Sequence, residues 1–406
     1  MSHVPIARLA VAALLLPSFP VFAGQLEIDL SSALERAHSA SPTAIAARGE
    51  VAIVQGAVVT AELPFIDNPE IEAGAGPRLT TARPIDAEVR VEQNLELGRR
   101  SPRRALARAG VAQAQAEVNA VLRELDLEVA SAFYDVMFAE RSIGLAQHAE
   151  EFAQQAAAAA DRRRKAGEIT DLDANLARSA LGRARAASRA AQSERASAVG
   201  RLGALIGAAP DDIIVLRGDL RPAALPDAAA LRATVASRPD IRVLEAERAE
   251  GTAERDQANA NALPQVSAWA SYQREDTEAI VLGGLRLTLP AWNRAQGDKA
   301  SATAKERRAT RGRDATLRAA ERQVTDALAA YALARDALDI FERDVVPVLD
   351  DSEQLLQKTM NAGQMAVSDY LVARREILGG RREHLERLLA LAKAATMVRF
   401  VAGGAP

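Results

Sequence analysis

One unit of sequence occurs twice in this chain, about 196 residues apart, and that duplication constrains the fold more than any other feature. Lys165–Arg178 reads KAGEITDLDANLAR, and Asn361–Arg374 reads NAGQMAVSDYLVAR. The copies agree at Ala166/Ala362, Gly167/Gly363, Asp173/Asp369, Ala177/Ala373 and Arg178/Arg374, with Leu176 answered by Val372. The same shift sets Val89 and Val91 opposite Leu285 and Leu287, and Leu63-Pro64 answers Leu263-Pro264 at a slightly longer offset.

Each copy keeps one order of parts. A helix (about Leu30 to Glu62, then about Pro239 to Ala262) leads to a Pro-containing break and two short alternating segments. A very long helix follows, then a Gly-centred turn and a second long helix. In Ile85 to Glu92 the apolar Ile85, Ala87, Val89 and Val91 interleave with Asp86, Glu88, Arg90 and Glu92. Val281, Gly283, Leu285, Leu287 and Leu289 alternate in the same way with Leu282, Gly284, Arg286 and Thr288. Period two with one apolar and one polar face is a strand pattern. Shorter partners at Ile71 to Gly76 and Val266 to Gln273 make each pair a hairpin.

The helical stretches carry heptads. Leu317, Val324, Tyr331, Leu338 and Val345 fall seven apart, interleaved with Ala320, Ala327, Ala334, Phe341 and Val348. From about Arg103 to Arg164 the first long helix spans ~90 Å at 1.5 Å per residue, so the protein is elongated. Aromatics are only 3% of the chain, which suits helices packed closely through alanine.

Several classes of function are excluded. With no cysteine there is no disulfide, thiolate metal site, cysteine nucleophile or lipid-bearing thiol. Net charge is −3, with basic and acidic residues interspersed, which gives no nucleic-acid surface. The four histidines, His3, His38, His148 and His384, are scattered, and no catalytic motif or metal-ligand cluster accompanies them. The chain is therefore not expected to be an enzyme, nor to hold a cofactor or a metal. Arg8, the apolar run AVAALLLPSF and Val21-Phe22-Ala23 read as an export signal cleaved after Ala23. Beyond it, no stretch is expected to reach the ~20 apolar residues of a transmembrane helix. The division that follows is a signal peptide at 1–23, a first repeat at 24–210 and a second at 211–406.

Four short strands cannot close a barrel, yet a hairpin with an apolar face needs cover from a protein core or from lipid. Lipid demands closure, so several chains would have to pool their strands. Val89, Val91, Leu285 and Leu287 would then face lipid, and Asp86, Glu88, Arg90 and Arg286 a wet lumen. A soluble periplasmic coiled-coil adaptor or scaffold is the alternative from another class.

The repeat, the Leu-Pro before each hairpin, the strand ending LTLPAWNRAQG and the Gly-x-x-x-x-x-Asp turn in each half together resemble the TolC-type outer-membrane factors. The compact length and the PAWNRAQG segment are most similar to their heavy-metal efflux, CzcC-like branch. The resemblance implies a mainly α fold with a small β part. Long antiparallel coiled-coil helices form an α-barrel tunnel, and four strands per chain join a trimeric 12-stranded transmembrane β-barrel. It implies a homotrimer in the outer membrane of a Gram-negative bacterium, a passive export conduit. Its partners would be outer-membrane lipid, a periplasmic adaptor (membrane fusion protein) and an inner-membrane RND pump. The cargo would be metal cations or small toxic compounds, with a type I protein secretion duct as the other use of this architecture.

Gly167 and Gly363 stand where a long helix must stop and reverse, as a left-handed residue after a helix end allows. Arg162, Arg163, Arg164 and Lys165 precede the first of them, either as cations favoured at a helix C-terminus or as an adaptor contact at the hairpin tip. Asp173 and Asp369 fall in the first turns of the returning helices, where carboxylates offset exposed N–H groups. The resemblance adds that Asp369 faces the tunnel axis at the narrow periplasmic end, three copies making an acidic ring. A second acid and an Arg usual there are replaced by Val372 and Met365.

Overall fold

The computed structural model describes residues 25–77, 85–275, 278–361 and 365–404. The export signal expected at 1–23 and the turn residue Gly363 lie outside the described residues. The first part of the chain runs β1 (Gln25–Ile28), α1 (Leu30–Ala40), α2 (Pro42–Glu62), β2 (Glu70–Pro77), β3 (Ile85–Leu95), α3 (Arg100–Lys165) and α4 (Asp171–Leu205). The second runs β4 (Ile213–Leu216), α5 (Ala228–Ala233), α6 (Pro239–Asn261), β5 (Gln265–Glu275), β6 (Glu278–Thr288), α7 (Gln296–Asp344), α8 (Val346–Asn361) and α9 (Val367–Ala402). At 66 residues, α3 alone is about 100 Å long.

Four details differ from the sequence expectation. The helix expected over Leu30 to Glu62 is two, because Pro42 has no N–H and holds Ser41 extended at ψ 135°. The seam expected to run through Val345 and Val348 is broken at Val345, where Pro347 cannot complete the helical ladder. β1 and β4 form an unforeseen parallel pair, Gln25 opposite Ile213 and Ile28 opposite Leu216. Finally, α2 is by length and composition apolar enough to cross a membrane: 21 residues at mean hydropathy 1.3. Arg48, Glu50 and Gln55 interrupt it, so no unbroken apolar run marks it in the sequence. One face packs through Ala47, Val51 and Val54 on Val111, Ala114 and Val118 of α3, while Ile45, Ile53 and Val59 stay exposed.

The two hairpins lie side by side in one antiparallel sheet of order β2-β3-β5-β6. Val89 sits opposite Ala73 on one side and Tyr272 on the other, and Tyr272 opposite Val281. β2 and β6 are both open edges. Below the sheet the helices repeat its order, since α2 packs on α3, α3 on α6 and α6 on α7. Each strand runs into the helix beneath it, so the wall is one sheet that becomes one layer of helices. At the far end α3 pairs with α4, and α8 with α9.

The main core lies midway, where α1, α3, α4, α7, α9 and the β1–β4 pair meet around Leu125, Val129, Phe133, Val136, Leu202, Ile206, Leu220, Leu338 and Leu391. Gly207 ends α4 there at φ +62°, and a Cβ on it would lie 2.4 Å from the Ala40 carbonyl oxygen. Only glycine brings the end of α4 so close to the α1–α2 break.

Candidate functional site

The sheet separates its side chains by parity. Ile71, Ile85, Val89, Val91, Tyr272, Val281, Leu285 and Leu287 share one face and are all exposed, Val281 at 75% and Leu285 at 72%. The sequence-chosen Val89, Val91, Leu285 and Leu287 therefore lie together on one continuous apolar surface.

The opposite face is polar and tied across strands. Glu92 accepts from Ser267 Oγ at 2.6 Å and from Arg286 Nη1 at 2.7 Å, joining β3, β5 and β6. The Arg90 guanidinium stands 4.9 Å over the Trp269 ring and reaches Glu88 Oε1 at 3.4 Å. Trp269 in turn lies flat on Gly284, where a Cβ would come within 2.9 Å of the indole. One face is thus hydrocarbon apart from Gln93 and Arg274, and the other, apart from Ile280 and Leu282, a polar, internally bonded lining.

At the sheet-to-helix junctions the two halves differ. Leu97 N–H donates to Leu95 O at 2.9 Å, and Ala291 N–H to Leu289 O at 2.9 Å, so both halves make the same tight turn. The second has Pro290 there. The first has Glu96, which binds Arg103 and accepts from Ile66 N at 3.1 Å. Arg100 and Arg103 also donate to the Glu62, Ala61 and Leu63 carbonyls, closing the C-terminus of α2.

The first hairpin tip is held by local bonds. Gly167 at φ +76° gives its N–H to Arg164 O, and Glu168 N–H reaches Arg163 O, the paired bonds of a Schellman turn. Thr170 caps α4, with Asp173 N–H donating to Thr170 Oγ1 at 3.2 Å and Thr170 Oγ1 to Asp173 Oδ2 at 2.8 Å. Arg164 and Lys165 both reach Asp161, at 3.4 Å and 2.9 Å, and Arg178 joins them at 3.3 Å. Hydrogen bonding from Lys165 leads the causes that hold the Asp161 carboxyl down at about 2.

The second tip is built differently. Ala366, at the position matching Thr170, is the N-cap of α9 and offers no side-chain oxygen. Asp369 is exposed in the first turn, with Ser368 Oγ at 3.4 Å. Met365 packs on the small core of Ala156, Leu356, Tyr370 and Ile377, whereas Val372 is exposed. The structure thus brings Gly167, Arg164, Lys165 and Asp173 together at one tip and sets Asp369 on another helix.

Two clusters were not foreseen. Arg374, buried on α9, donates to Glu353 Oε1 of α8 at 2.7 Å and lies 3.7 Å over the Phe152 ring of α3, linking the two helix pairs. Its repeat equivalence with Arg178 marked the position, but its partners are remote in sequence. Near the main core, Arg238 grips Asp240 through two bonds of 3.0 and 2.8 Å and donates to Val401 O. Arg123 reaches Asp240 at 3.3 Å and Phe400 O at 2.6 Å. Both guanidiniums are buried, so Asp240 is their common counter-charge.

The family model for outer membrane efflux proteins matches residues 72–208 and 230–404. Protein CyaE of Bordetella pertussis is 31% identical over 254 residues, 58% of this chain and 54%, about half, of that protein's length. The cobalt-zinc-cadmium resistance protein CzcC of Cupriavidus metallidurans is 26% identical over 400 residues, 96% of this chain and 93% of its own. The solved CmeC outer membrane channel of Campylobacter jejuni shares the fold at a TM-score of 0.74 and 16% identity, over 93% of this chain and 86% of that one.

Proposed function

The chain belongs to the outer membrane efflux protein family, and from that premise we propose that three copies pool four strands each into one closed barrel, with lipid outside and water inside. It is an outer-membrane channel, and the proposal concerns how its parts serve that role. The observation that carries it is the pair of open sheet edges beside an exposed apolar face. Hydrocarbon tolerates no open edge, so β6 of one copy pairs with β2 of the next. The exposed face of α2 then meets the neighbour's α7, because the helices follow the strand order. Val89, Val91, Leu285 and Leu287 face lipid, and Glu88, Arg90, Glu92 and Arg286 line the lumen.

Below the barrel the helices continue as a periplasmic tunnel. The tips around Gly167, Arg164 and Lys165 meet a periplasmic adaptor, and Asp369 from three copies lies near the axis at the narrow end. An inner-membrane RND pump supplies the cargo, and the chain conducts it without catalysis. Similarity to CzcC over nearly the whole chain supports metal cations as that cargo. A soluble coiled-coil adaptor would have no use for the exposed Leu285 face. Cell fractionation and light scattering in detergent test the assembly, with an outer-membrane trimer expected. A monomer soluble without detergent would overturn it. Co-expression with a metal pump and adaptor should restore cobalt or zinc tolerance to a strain lacking its own duct.

A further inference from the structure

The two helix pairs do not close fully on each other where α3, α4 and α9 meet. A cleft of about 450 Å³ runs between them, a size in the range of small-molecule sites. Its walls are short side chains, Ala149 and Ala153 on α3 and Ala180 and Ala184 on α4, facing Leu371 and Leu378 on α9. Leu176, Ala180, Arg183 and Ala187 recur at three- and four-residue spacing, so a single face of α4 forms its side of the cleft. From Leu176 to Ala187 that face is ~16 Å long at 1.5 Å per residue.

The charges on this lining are all of one sign. Arg183, Arg374 and Arg375 contribute to it, and among the described residues no carboxylate does. Arg374 is only 8% exposed, and although its Nη1 donates to Glu353, its Nε has no hydrogen-bond partner. A buried donor left without an acceptor is costly, and an anion in the cleft supplies one. Arg183 is exposed and makes no ion pair among the described residues, and Arg375 reaches only Glu376, at 4.0 Å.

Shape selects among anions. The volume spread over that length gives a mean cross-section of about 28 Å². A helix 10 Å across needs ~80 Å², so a helix from a protein partner is too thick to enter. A small inorganic anion would leave the apolar walls uncovered. One unbranched hydrocarbon chain ending in a carboxylate matches the narrow alanine walls and the three guanidiniums together.

We propose that this cleft binds a fatty acid, with its chain along the alanines of α3 and α4 and its carboxylate among Arg183, Arg374 and Arg375. The site lies within one chain, so it goes beyond the barrel reading and does not depend on it. The full chain in nonionic detergent is irradiated with decanoic acid carrying a mid-chain diazirine, and the labelled peptides are located by mass. Label should fall around Ala153, Ala180 and Leu378, and excess decanoate should displace it at least tenfold more effectively than decanol. Arg183→Gln/Arg375→Gln changes two exposed side chains and should lower that labelling at least tenfold, while any label on the strands stays unchanged. Ala180→Leu, which fills the cleft, should do the same. Label confined to β3, β5 and β6, or equal displacement by decanol, overturns the proposal. So does unchanged labelling of the cleft in either variant. A trimer in the outer membrane that takes no label in the cleft overturns the site and leaves the barrel reading standing. A labelled cleft in a monomer soluble without detergent does the reverse.

Discussion

Placing an arginine on the apolar face of the sheet should block assembly to an extent set by height. Leu287 is opposite Val266, which is opposite Leu95, the last residue of β3, so Leu287 marks the base of the sheet. Val89 lies six residues up β3 from Leu95, about 20 Å along the strand at ~3.4 Å per residue. With a tilt of about 40° that is about 15 Å above the base, near the middle of an apolar band ~25 Å tall. Val89→Arg should therefore cost ~2–4 kcal/mol per copy, or ~6–12 kcal/mol for three copies, and Leu287→Arg only ~0–1 per copy. Arg90→Gln, on the polar face, loses one partly exposed ion pair and one ring contact, about 1 kcal/mol together. The assay is the fraction of each variant recovered as an assembled oligomer in the outer membrane. Expected yields run Arg90→Gln and Leu287→Arg near normal, with Val89→Arg nearly absent. Equal recovery of Val89→Arg and Leu287→Arg would refute the assignment of depth, and equal recovery of Val89→Arg and Arg90→Gln the assignment of faces.

Asp369→Ala should weaken divalent-cation block of single-channel current in planar bilayers, while Asp173→Ala leaves it unchanged and costs about 1 kcal/mol by breaking the Thr170 capping box. Unaltered block in Asp369→Ala channels would reduce that residue to a helix-terminus carboxylate. Asp240→Ala should cost ~3–5 kcal/mol, because it strands Arg123 and Arg238 as buried unpaired charges. Burial pushes the Asp240 pKa up, but the bonds and charge of Arg238 and then Arg123 outweigh it and leave it lowered. Its contribution is thus complete above the unfolded value of about 3.9 and is lost as pH falls below it. In thermal unfolding, the gap between the unmodified chain and Asp240→Ala should narrow as pH drops below about 4; a gap that stays constant contradicts the linkage.

How much of this was legible depended on the reach of each interaction. Both hairpins could be read because period-two alternation is written locally, and parity alone put Val89 and Leu285 on one face. The Schellman turn at Gly167 and the cap at Thr170 likewise rest on neighbours within a few residues. Asp161 could have been found from its three- and four-residue spacing to Arg164 and Lys165. The β1–β4 pair could not, since four residues carry too little pattern and their partner lies in the other half. Arg374 over Phe152 and Arg123 against Phe400 O join positions whose proximity only the helix packing creates. The break at Val345 was missed for another reason: a heptad count does not register that Pro347 withholds a donor.

The duplication also explains why equivalent positions diverge. In the first tip, Gly167, Thr170, Asp173 and the Asp161 ion pairs bond α3 and α4 to each other within a few residues of the turn. At the second, Thr170 has become Ala366, which cannot cap, and the matching arginine, Arg374, pairs with Glu353 of α8 and also lies over Phe152 of the first helix pair. α9 is therefore tied to α8 through the Arg374 bond to Glu353, and to α3 through the same guanidinium over Phe152 and the small core around Tyr370. A local turn closes independently of everything else, whereas a contact between helix pairs can be released without unfolding either pair. On the proposed function, the Arg374–Phe152 contact joins the pair that carries Asp369 to the pair that carries Asp173.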